Sequence, residues 1–287
     1  MNTEKNTRKA NQPLDLQGRQ YHIALSTGQI PPVVLIPGDP ARIDKLKKHW
    51  EAAEDLSNNR EFRSARGKVK GAAIGAVSVG VGMGGVEVAL NELATIGVHT
   101  IIRVGTTGSL LADIKCGDVI IPVAGLRRDG VSDVYAEPGF PAFAHPDILT
   151  ALIETCNRLQ VRYHLGITCT VGSFYLGQGR PIHNGYFKDQ PVELIDHLVK
   201  MGITNFDMET AGVFVLSHLM GLRAGSILAV IANRATNQFA DAGGEELVCK
   251  LASEAVSVLQ EQDAQKKKHS IKPVSTSLAR GPFIETM

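Results

Sequence analysis

The stretch VSVGVGMGGVEVALNEL, residues 77–93, places a short apolar run, glycines at 80, 82 and 85, and a helical pattern in direct succession. Such a succession is typical of a strand that turns directly into a helix. The spacing Gly-x-Gly-x-x-Gly also matches the dinucleotide-binding fingerprint, which needs an acidic residue about 20 positions further on. The sequence there is RVGTTGS, without Asp or Glu. It therefore disfavours a nicotinamide or flavin cofactor and leaves two interpretations: tight backbone packing, or close approach of backbone to a ligand.

The same alternation of strand and helix patterns continues on both sides of this stretch. Apolar, β-branched runs predict strands at 33–36, 72–79, 100–105, 118–124, 164–171 and 226–232. Amphipathic segments predict helices at 41–50, 86–97, 146–159, 192–202, 209–221 and 244–262. We therefore predict a single α/β domain over residues 21–263, with a central mixed β-sheet flanked by helices. Residues 1–20 are predicted to be a flexible N-terminal arm and residues 264–287 a disordered tail, because both lack apolar periodicity.

Composition argues against several classes of protein. The 287 residues carry a net charge of +1, so no overall field favours nucleic acid or a membrane surface. No apolar run reaches the roughly 18 residues of a membrane-spanning helix, and the polar N-terminus is unlike a secretory signal. The four cysteines are scattered, which predicts reduced thiols in a cytoplasmic protein. The histidine spacing predicts no metal site.

Two segments with arginine have the chemistry of anion sites. PGDPARI, residues 37–43, joins a turn to a helix start, where free backbone N–H groups favour an anion. Arg42 in that first turn opposes the helix dipole unless an anion lies beside it; the alternative is a solvated arginine. IIRVGTTGSL, residues 101–110, puts Arg103 in an apolar strand directly before Gly-Thr-Thr-Gly, a phosphate-binding combination. The alternative there is an internal salt bridge with Asp118 or Asp129.

Two further segments have the chemistry of a sugar site and a base site. FDMETAG, residues 206–212, begins a helix with two acids, which is also favourable for the helix dipole alone. Glu209 in that segment could accept hydrogen bonds from two vicinal hydroxyls. FYLGQGRPIHNG, residues 174–185, sets Gln178 and Arg180 among glycines and two aromatic residues. An amide and a guanidinium so close together suit a planar polar partner.

Taken together, these motifs resemble the nucleoside phosphorylase-I family, and within it the members that act on uridine. The resemblance covers roughly residues 22–262 and depends on five motifs in order. They are P-G-D-P-x-R at 37–42, N-R-E-F at 59–62, R-V-G-T-T-G at 103–108, F-Y-x-G-Q-x-R at 174–180 and D-M-E-T-A at 207–211. It implies a sheet partly closed into a barrel and reversible phosphorolysis of uridine to uracil and ribose 1-phosphate. Inorganic phosphate would be the co-substrate, and no cofactor would be needed.

The resemblance also implies a role for individual residues. The phosphate-binding set would be Gly38, Arg42, Arg60, Arg103 and Thr106. The ribose-binding set would be His22, Met208 and Glu209. The base-binding set would be Phe174, Gln178, Arg180 and Ile231. The residues implied to be catalytic are Arg103, Gln178, Arg180 and Glu209. Arg60 and His22 would reach the neighbouring subunit's site, which implies a homodimer or a hexamer built as a trimer of dimers.

Two departures from the family pattern bear on these expectations. Purine-specific relatives place an acid in the strand near residue 230, where this chain has Asn233, which favours pyrimidine nucleosides. Asp207 is shorter than the Glu expected in bacterial uridine members, and we expect no strong role for it. The alternatives are a purine or methylthio-nucleoside phosphorylase of the same family and a catalytically inactive nucleoside-binding paralogue.

Overall fold

The computed structural model describes residues 10–186, 191–240 and 244–269, apart from the side chains of residues 191 and 192. Its strands are β1 Val33–Pro37, β2 Glu51–Asn59, β3 Phe62–Val69, β4 Ala72–Val77, β5 Thr100–Ser109, β6 Val119–Arg128, β7 Ala142–Phe143, β8 Tyr163–Val171, β9 Ile203–Asp207, β10 Arg223–Asn233 and β11 Gln238–Phe239. Its α-helices are α1 Arg42–Lys47, α2 Met83–Thr95, α3 Ser132–Tyr135, α4 Pro146–Arg158, α5 Pro191–Lys200, α6 Thr210–Leu219 and α7 Glu245–Lys268, and Leu176–Gln178 form a 3₁₀ turn.

The sheet is mixed and partly closed. Strands β10, β6, β8, β9 and β5 pair in that order, and β5 pairs again with β10, so that these five strands form a ring. Strands β1, β4, β3 and β2 continue outward from β5. Helices α1, α4 and α7 pack over one apolar core, and α2 and α6 pack over another. The predicted α/β class, with a mixed sheet partly closed into a barrel and flanked by helices, is confirmed.

Every predicted strand and helix overlaps an observed one, but two long strands have no counterpart among the predictions. Strand β2, EAAEDLSNN, lies at the end of the sheet with mostly exposed residues, so it carries no apolar alternation. Strand β3 pairs antiparallel with it and with β4. A strand solvated on both faces needs no apolar face, which removes the signal used to recognise one.

Structured residues lie on both sides of the predicted domain boundaries at residues 21 and 263. Helix α7 continues to Lys268, past residue 263, and Lys266 forms an ion pair with the buried Asp147 of α4. Residues 270–287 of the predicted tail and 1–9 of the predicted arm lie outside the described residues. Residues 10–20 form a turn in which Leu14 bridges Gln20 and Asp15 binds Arg19. Within the described part of the chain, no helix is long and apolar enough to cross a membrane.

Candidate active site

A cavity of about 300 Å³ lies where several strands of the sheet end. Its wall includes residues from the loops after β1 and β4, and residues near the carboxyl ends of β5, β9 and β10. Ligands of α/β proteins characteristically bind at the carboxyl ends of parallel strands, an arrangement that β1, β4, β5 and β10 provide here. All the predicted site residues except His22 and Arg60 line the cavity. They are Gly38, Arg42, Arg103, Thr106, Phe174, Gln178, Arg180, Met208, Glu209 and Ile231.

Arg103 forms a buried ion-pair cluster with two acids of the cavity wall. Its Nε donates to Asp207 Oδ2 at 3.1 Å, and its Nη2 lies 2.5 Å from Glu209 Oε2. Burial alone would lower the pKa of Arg103, but Glu209 and Asp207 outweigh it and raise that pKa above its ordinary value. An internal salt bridge therefore exists, but its partners are not the candidates Asp118 and Asp129. Those two acids bind His164 and Ser132 instead.

Glu209 is held by the glycine turn as well as by Arg103. The backbone N–H of Gly82 donates to Glu209 Oε1 at 2.6 Å, and Gly82 has a left-handed φ of +87°. Burial raises the pKa of the Glu209 carboxyl, an effect that Arg103 opposes and Asp207 reinforces. A Cβ at Gly85 would overlap the carbonyl oxygen of Val79. The tight-packing interpretation of the glycine motif therefore holds at Gly85, while Gly82 supplies a hydrogen-bond donor to the site.

Asp207 joins four structural elements, although the sequence led us to expect no strong role for it. Besides Arg103 on β5, its carboxylate accepts hydrogen bonds from Thr170 Oγ1 on β8 and from both N and Oγ1 of Thr210 on α6. It is almost fully buried. That expectation is corrected here: the shorter acid is a buried acceptor that fixes the arginine against the sheet.

Arg42 is buried at the start of α1 with two of its three nitrogens occupied. Its Nη1 donates to the carbonyl of Val104 at 3.0 Å, and its Nη2 donates to Glu245 Oε1 at 2.9 Å. Its Nε is buried and has no hydrogen-bond partner in the described chain. Gly38, on the same wall, could not carry a side chain, because a Cβ there would lie 2.9 Å from the carbonyl oxygen of Gly80. Arg42 is therefore not the solvated arginine of the alternative interpretation.

Gln178 and Arg180 meet at a different part of the same cavity. Arg180 Nη1 donates to Gln178 Oε1 at 2.6 Å and to the carbonyl of Phe174 at 2.8 Å. The guanidinium carbon of Arg180 lies 4.0 Å from the centre of the Phe174 ring. Burial, reinforced by the nearby Arg234, lowers the pKa of Arg180 to about 10, so it stays cationic at neutral pH.

Glycines and a further arginine shape the loop that carries this pair. Gly179 has a left-handed φ of +66°, and a side chain at Gly177 would overlap Val171. Arg234 donates to the carbonyl of Gln178 at 2.8 Å and to that of Gly179 at 3.3 Å. The loop is therefore tied by its backbone to the end of β10.

His22 and Arg60 lie together outside the cavity. His22 Nδ1 is 2.7 Å from Glu92 Oε1, and the carbonyl of His22 accepts from Asn59 Nδ2 at 2.8 Å. The exposed Arg60 lies next to Asn59 and has its guanidinium carbon 5.6 Å from the Tyr21 ring centre. One chain therefore does not bring these two residues to its own cavity.

Asn233 does not line the cavity. Its Nδ2 donates to the carbonyls of Leu111 and Ile114, at 2.9 and 2.7 Å, and its Oδ1 accepts from the backbone N–H of Thr236. The amide closes the loop that follows β5 against β10. Asn233 therefore has a structural role that an aspartate could not fill, because a carboxylate has no N–H to donate.

Some residues that shape the site were not among the predictions. Asp207 holds Arg103, and Gly82 holds Glu209. Arg234 holds the loop that carries Gln178 and Arg180, and Glu245 holds Arg42. Three of them had a visible signal: Asp207 flanks Met208, Gly82 belongs to the glycine motif, and Arg234 comes just after the apolar run 226–232. Among the described residues, no group of three or more His, Cys, Asp or Glu side chains is arranged to hold a metal ion.

Comparisons with known proteins agree with this fold. The family model described as the Phosphorylase superfamily matches residues 32–266, so the chain belongs to that superfamily. It is 45% identical over 259 residues to the uridine phosphorylase of Thermococcus kodakarensis, with 90% of this chain and 93% of the relative covered.

Two solved structures are similar over most of the chain. One is purine nucleoside phosphorylase from Toxoplasma gondii in complex with immucillin-H, with a TM-score of 0.76, 31% identity, and 85% of this chain and 97% of that chain covered. The other is uridine phosphorylase from Vibrio fischeri, with a TM-score of 0.74, 28% identity, and coverage of 83% and 97%.

Proposed function

We propose that this protein catalyses the reversible phosphorolysis of uridine to uracil and ribose 1-phosphate. The observation that carries the proposal is one cavity that combines Arg42, Arg103 and Glu209 with the Gln178–Arg180 pair. An anion, a vicinal diol and a planar amide-like base need these three kinds of group. The 45% identity to a protein named uridine phosphorylase supports the choice of nucleoside.

The side chains of Gln178 and Arg180 suit uracil as the bound base. Uracil presents an acceptor, a donor and an acceptor along O2, N3–H and O4. Arg180 fixes Gln178 through Oε1, which leaves the amide N–H groups to donate and a second Oε1 lone pair to accept. Cytosine would reverse the pattern at N3 and C4 and leave buried partners unpaired, which is strongly unfavourable. Phe174 and Ile231 supply apolar walls for the ring.

Catalysis then depends on placement and charge. Cleavage of the N-glycosidic bond builds positive charge on the ribose and negative charge on the leaving base. Donors from Gln178 and Arg180 stabilise the uracil anion more than the bound nucleoside. Phosphate held by Gly38, Arg42, Arg103 and Thr106 attacks C1′ from the opposite face, while Met208 and Glu209 hold the ribose. Inorganic phosphate enters as co-substrate, and no cofactor takes part in these steps.

The charge of the cavity supports a site shared between subunits. Arg42 and Arg103 are already matched by Glu245, Asp207 and Glu209, so one chain offers little net positive charge to a phosphate dianion. Arg60 contacts Tyr21 through an exposed guanidinium and forms no ion pair with the described residues. We propose that Arg60 and His22 complete the neighbouring site, in a homodimer or a trimer of dimers.

Four free cysteines favour action in the reducing cytoplasm.

A substrate panel tests the proposed function. Purified protein in millimolar phosphate is incubated with uridine, inosine, adenosine and methylthioadenosine, and base release is followed by absorbance. The proposal predicts phosphate-dependent release from uridine and little from the purine nucleosides. Equal or faster turnover of inosine would instead assign the chain to purine nucleosides, as the Toxoplasma gondii neighbour suggests. Binding of uridine without turnover would identify a nucleoside-binding paralogue.

A further inference from the structure

We propose that Glu245 is a positioning residue for phosphate, which acts by holding Arg42 in the cavity wall. The inference rests on the proposed function, because it assigns the anion beside Arg42 to inorganic phosphate. Glu245 is not part of the cavity wall, and it lies in the first turn of α7, about 200 residues from Arg42 in the chain.

Arg42 is held in the cavity wall through two of its three side-chain nitrogens. Its side chain is 6% exposed, and Glu245 and the carbonyl of Val104 occupy Nη2 and Nη1. The remaining buried nitrogen, Nε, has no partner among the described residues. A buried donor left unpaired is costly, so a ligand that supplies an acceptor there recovers that cost. Because the other two nitrogens are fixed, the direction of the Nε–H bond is set before phosphate arrives.

Glu245 connects α7 to α1. Its carboxylate receives Arg42 through one oxygen and Lys45 through the other, and both cations belong to α1. Burial opposes ionisation of Glu245, but Lys45 and Arg42 outweigh it and hold its pKa below the ordinary value. The carboxylate therefore fastens α1 to α7 and offsets one of the two neighbouring positive charges.

Removal of Glu245 has two opposing consequences. It deletes a negative charge near an anion site, which would strengthen phosphate binding. It also leaves Arg42 and Lys45 unneutralised side by side, which drives the long arginine out of its buried position. We expect the second effect to dominate, because a buried cation without a partner is strongly unfavourable.

The experiment compares E245A and E245Q with the matched control E246A. Glu246 is the next residue in the chain, and its ion pairs with the described residues are to Lys48 and His49 rather than to Arg42. For E245A, the KM for phosphate is expected to rise about tenfold, the scale of one lost charge-assisted hydrogen bond. The KM for uridine is expected to change by less than about twofold, since the Gln178–Arg180 pair is untouched. E245Q should lie between E245A and the wild type because its amide oxygen still accepts from Arg42.

Phosphate-dependent thermal stabilisation gives a readout that does not need turnover. Inorganic phosphate should raise the melting temperature of the wild type and of E246A, and raise that of E245A much less. The proposal would be overturned if folded E245A had an unchanged or lowered KM for phosphate, or if phosphate stabilised it as much as the wild type. If E245A does not fold, the same criteria apply to E245Q. If the wild type is stabilised by phosphate but does not cleave uridine, the proposed function fails, and the thermal comparison still decides the role of Glu245. If phosphate does not stabilise a wild type that does cleave uridine, the KM values decide the role of Glu245. If the wild type shows neither stabilisation by phosphate nor cleavage of uridine, the proposed role of Glu245 is overturned as well.

Discussion

Arg103 and Glu209 form a buried ion pair in which the guanidinium Nη2 lies 2.5 Å from a carboxylate oxygen. The proposed function gives the arginine to phosphate and the carboxylate to the ribose hydroxyls. The pair therefore links the two binding regions directly. Both partners have a second fixed contact, Asp207 for the arginine and the Gly82 N–H for the carboxylate. This arrangement sets their relative position before either substrate binds.

The raised pKa of Glu209 predicts a pH dependence of stability. Burial raises the pKa of this carboxyl above 4.5, so the folded state holds the proton more tightly than the unfolded state. The contribution of Glu209 to the free energy of unfolding is therefore greatest at low pH and falls as the pH rises from about 4.5 through the raised pKa. Urea denaturation of the wild type and E209Q across this window measures the effect. The stability of the wild type relative to E209Q should fall with increasing pH, and a constant or rising difference would contradict it.

Replacement of Gln178 by leucine should impair the use of uridine without impairing the binding of phosphate. Leucine has a similar size but cannot accept from Arg180 or pair with a base. We expect kcat/KM for uridine to fall by about 100-fold, the scale of one lost transition-state donor. Phosphate binding, followed by thermal stabilisation, should stay near the wild-type value. Full uridine activity in Q178L would refute the base-reading role, and Q160L, in the turn after α4, is a control for the substitution itself.

The glycines of α2 provide a matched pair for the tight-packing claim. A side chain at Gly85 would overlap the backbone carbonyl of Val79, whereas one at Gly84 would meet no atom within 4 Å. G85A should therefore destabilise the protein by about 3 kcal/mol or more, because backbone must move. G84A should be neutral or slightly stabilising, by up to about 1 kcal/mol, through its helix propensity. Chemical denaturation measures the stability of both variants, and equal stabilities would show that the backbone at Val79 does not approach α2 in this way.

The cysteines give a chemical test of the core. Burial raises the pKa of Cys156 to about 11 and that of Cys169 and Cys249 to about 12, so these thiols stay protonated and enclosed at pH 8. Cys116 is only partly buried. A disulfide reagent should modify one thiol quickly in the native protein and four in denaturant. The C116S variant should lose the fast reaction, and rapid labelling of more than one thiol in the native wild type would contradict the described core.

Whether a strand could be predicted from the sequence depends on its position in the sheet. Strands β1, β5 and β10 are buried in the sheet and rich in β-branched residues, so their sequences identify them. Strand β2 is an exposed edge with a polar sequence, and its pairing with β3 depends on a turn rather than an apolar pattern. Closure of the ring depends on β5 pairing with both β9 and β10, and no local pattern encodes such a contact.

The site shows the same division between local and long-range information. Gln178 and Arg180 are two residues apart, so one motif predicts that they act together. Arg103 and Asp207 are 104 residues apart and meet only because β5 and β9 pair near the cavity. The salt bridge of Arg103 could therefore be expected as a class of interaction, but its partners could not be chosen without the sheet order.

Phosphorus NMR of a reaction containing uridine and inorganic phosphate tests the central claim most directly. Phosphorolysis predicts that inorganic phosphate disappears and ribose 1-phosphate appears in equal amounts, each equal to the uracil formed. Uracil formed together with free ribose and an unchanged phosphate signal would show hydrolysis. That result would contradict the assignment of Arg42 and Arg103 to an attacking phosphate.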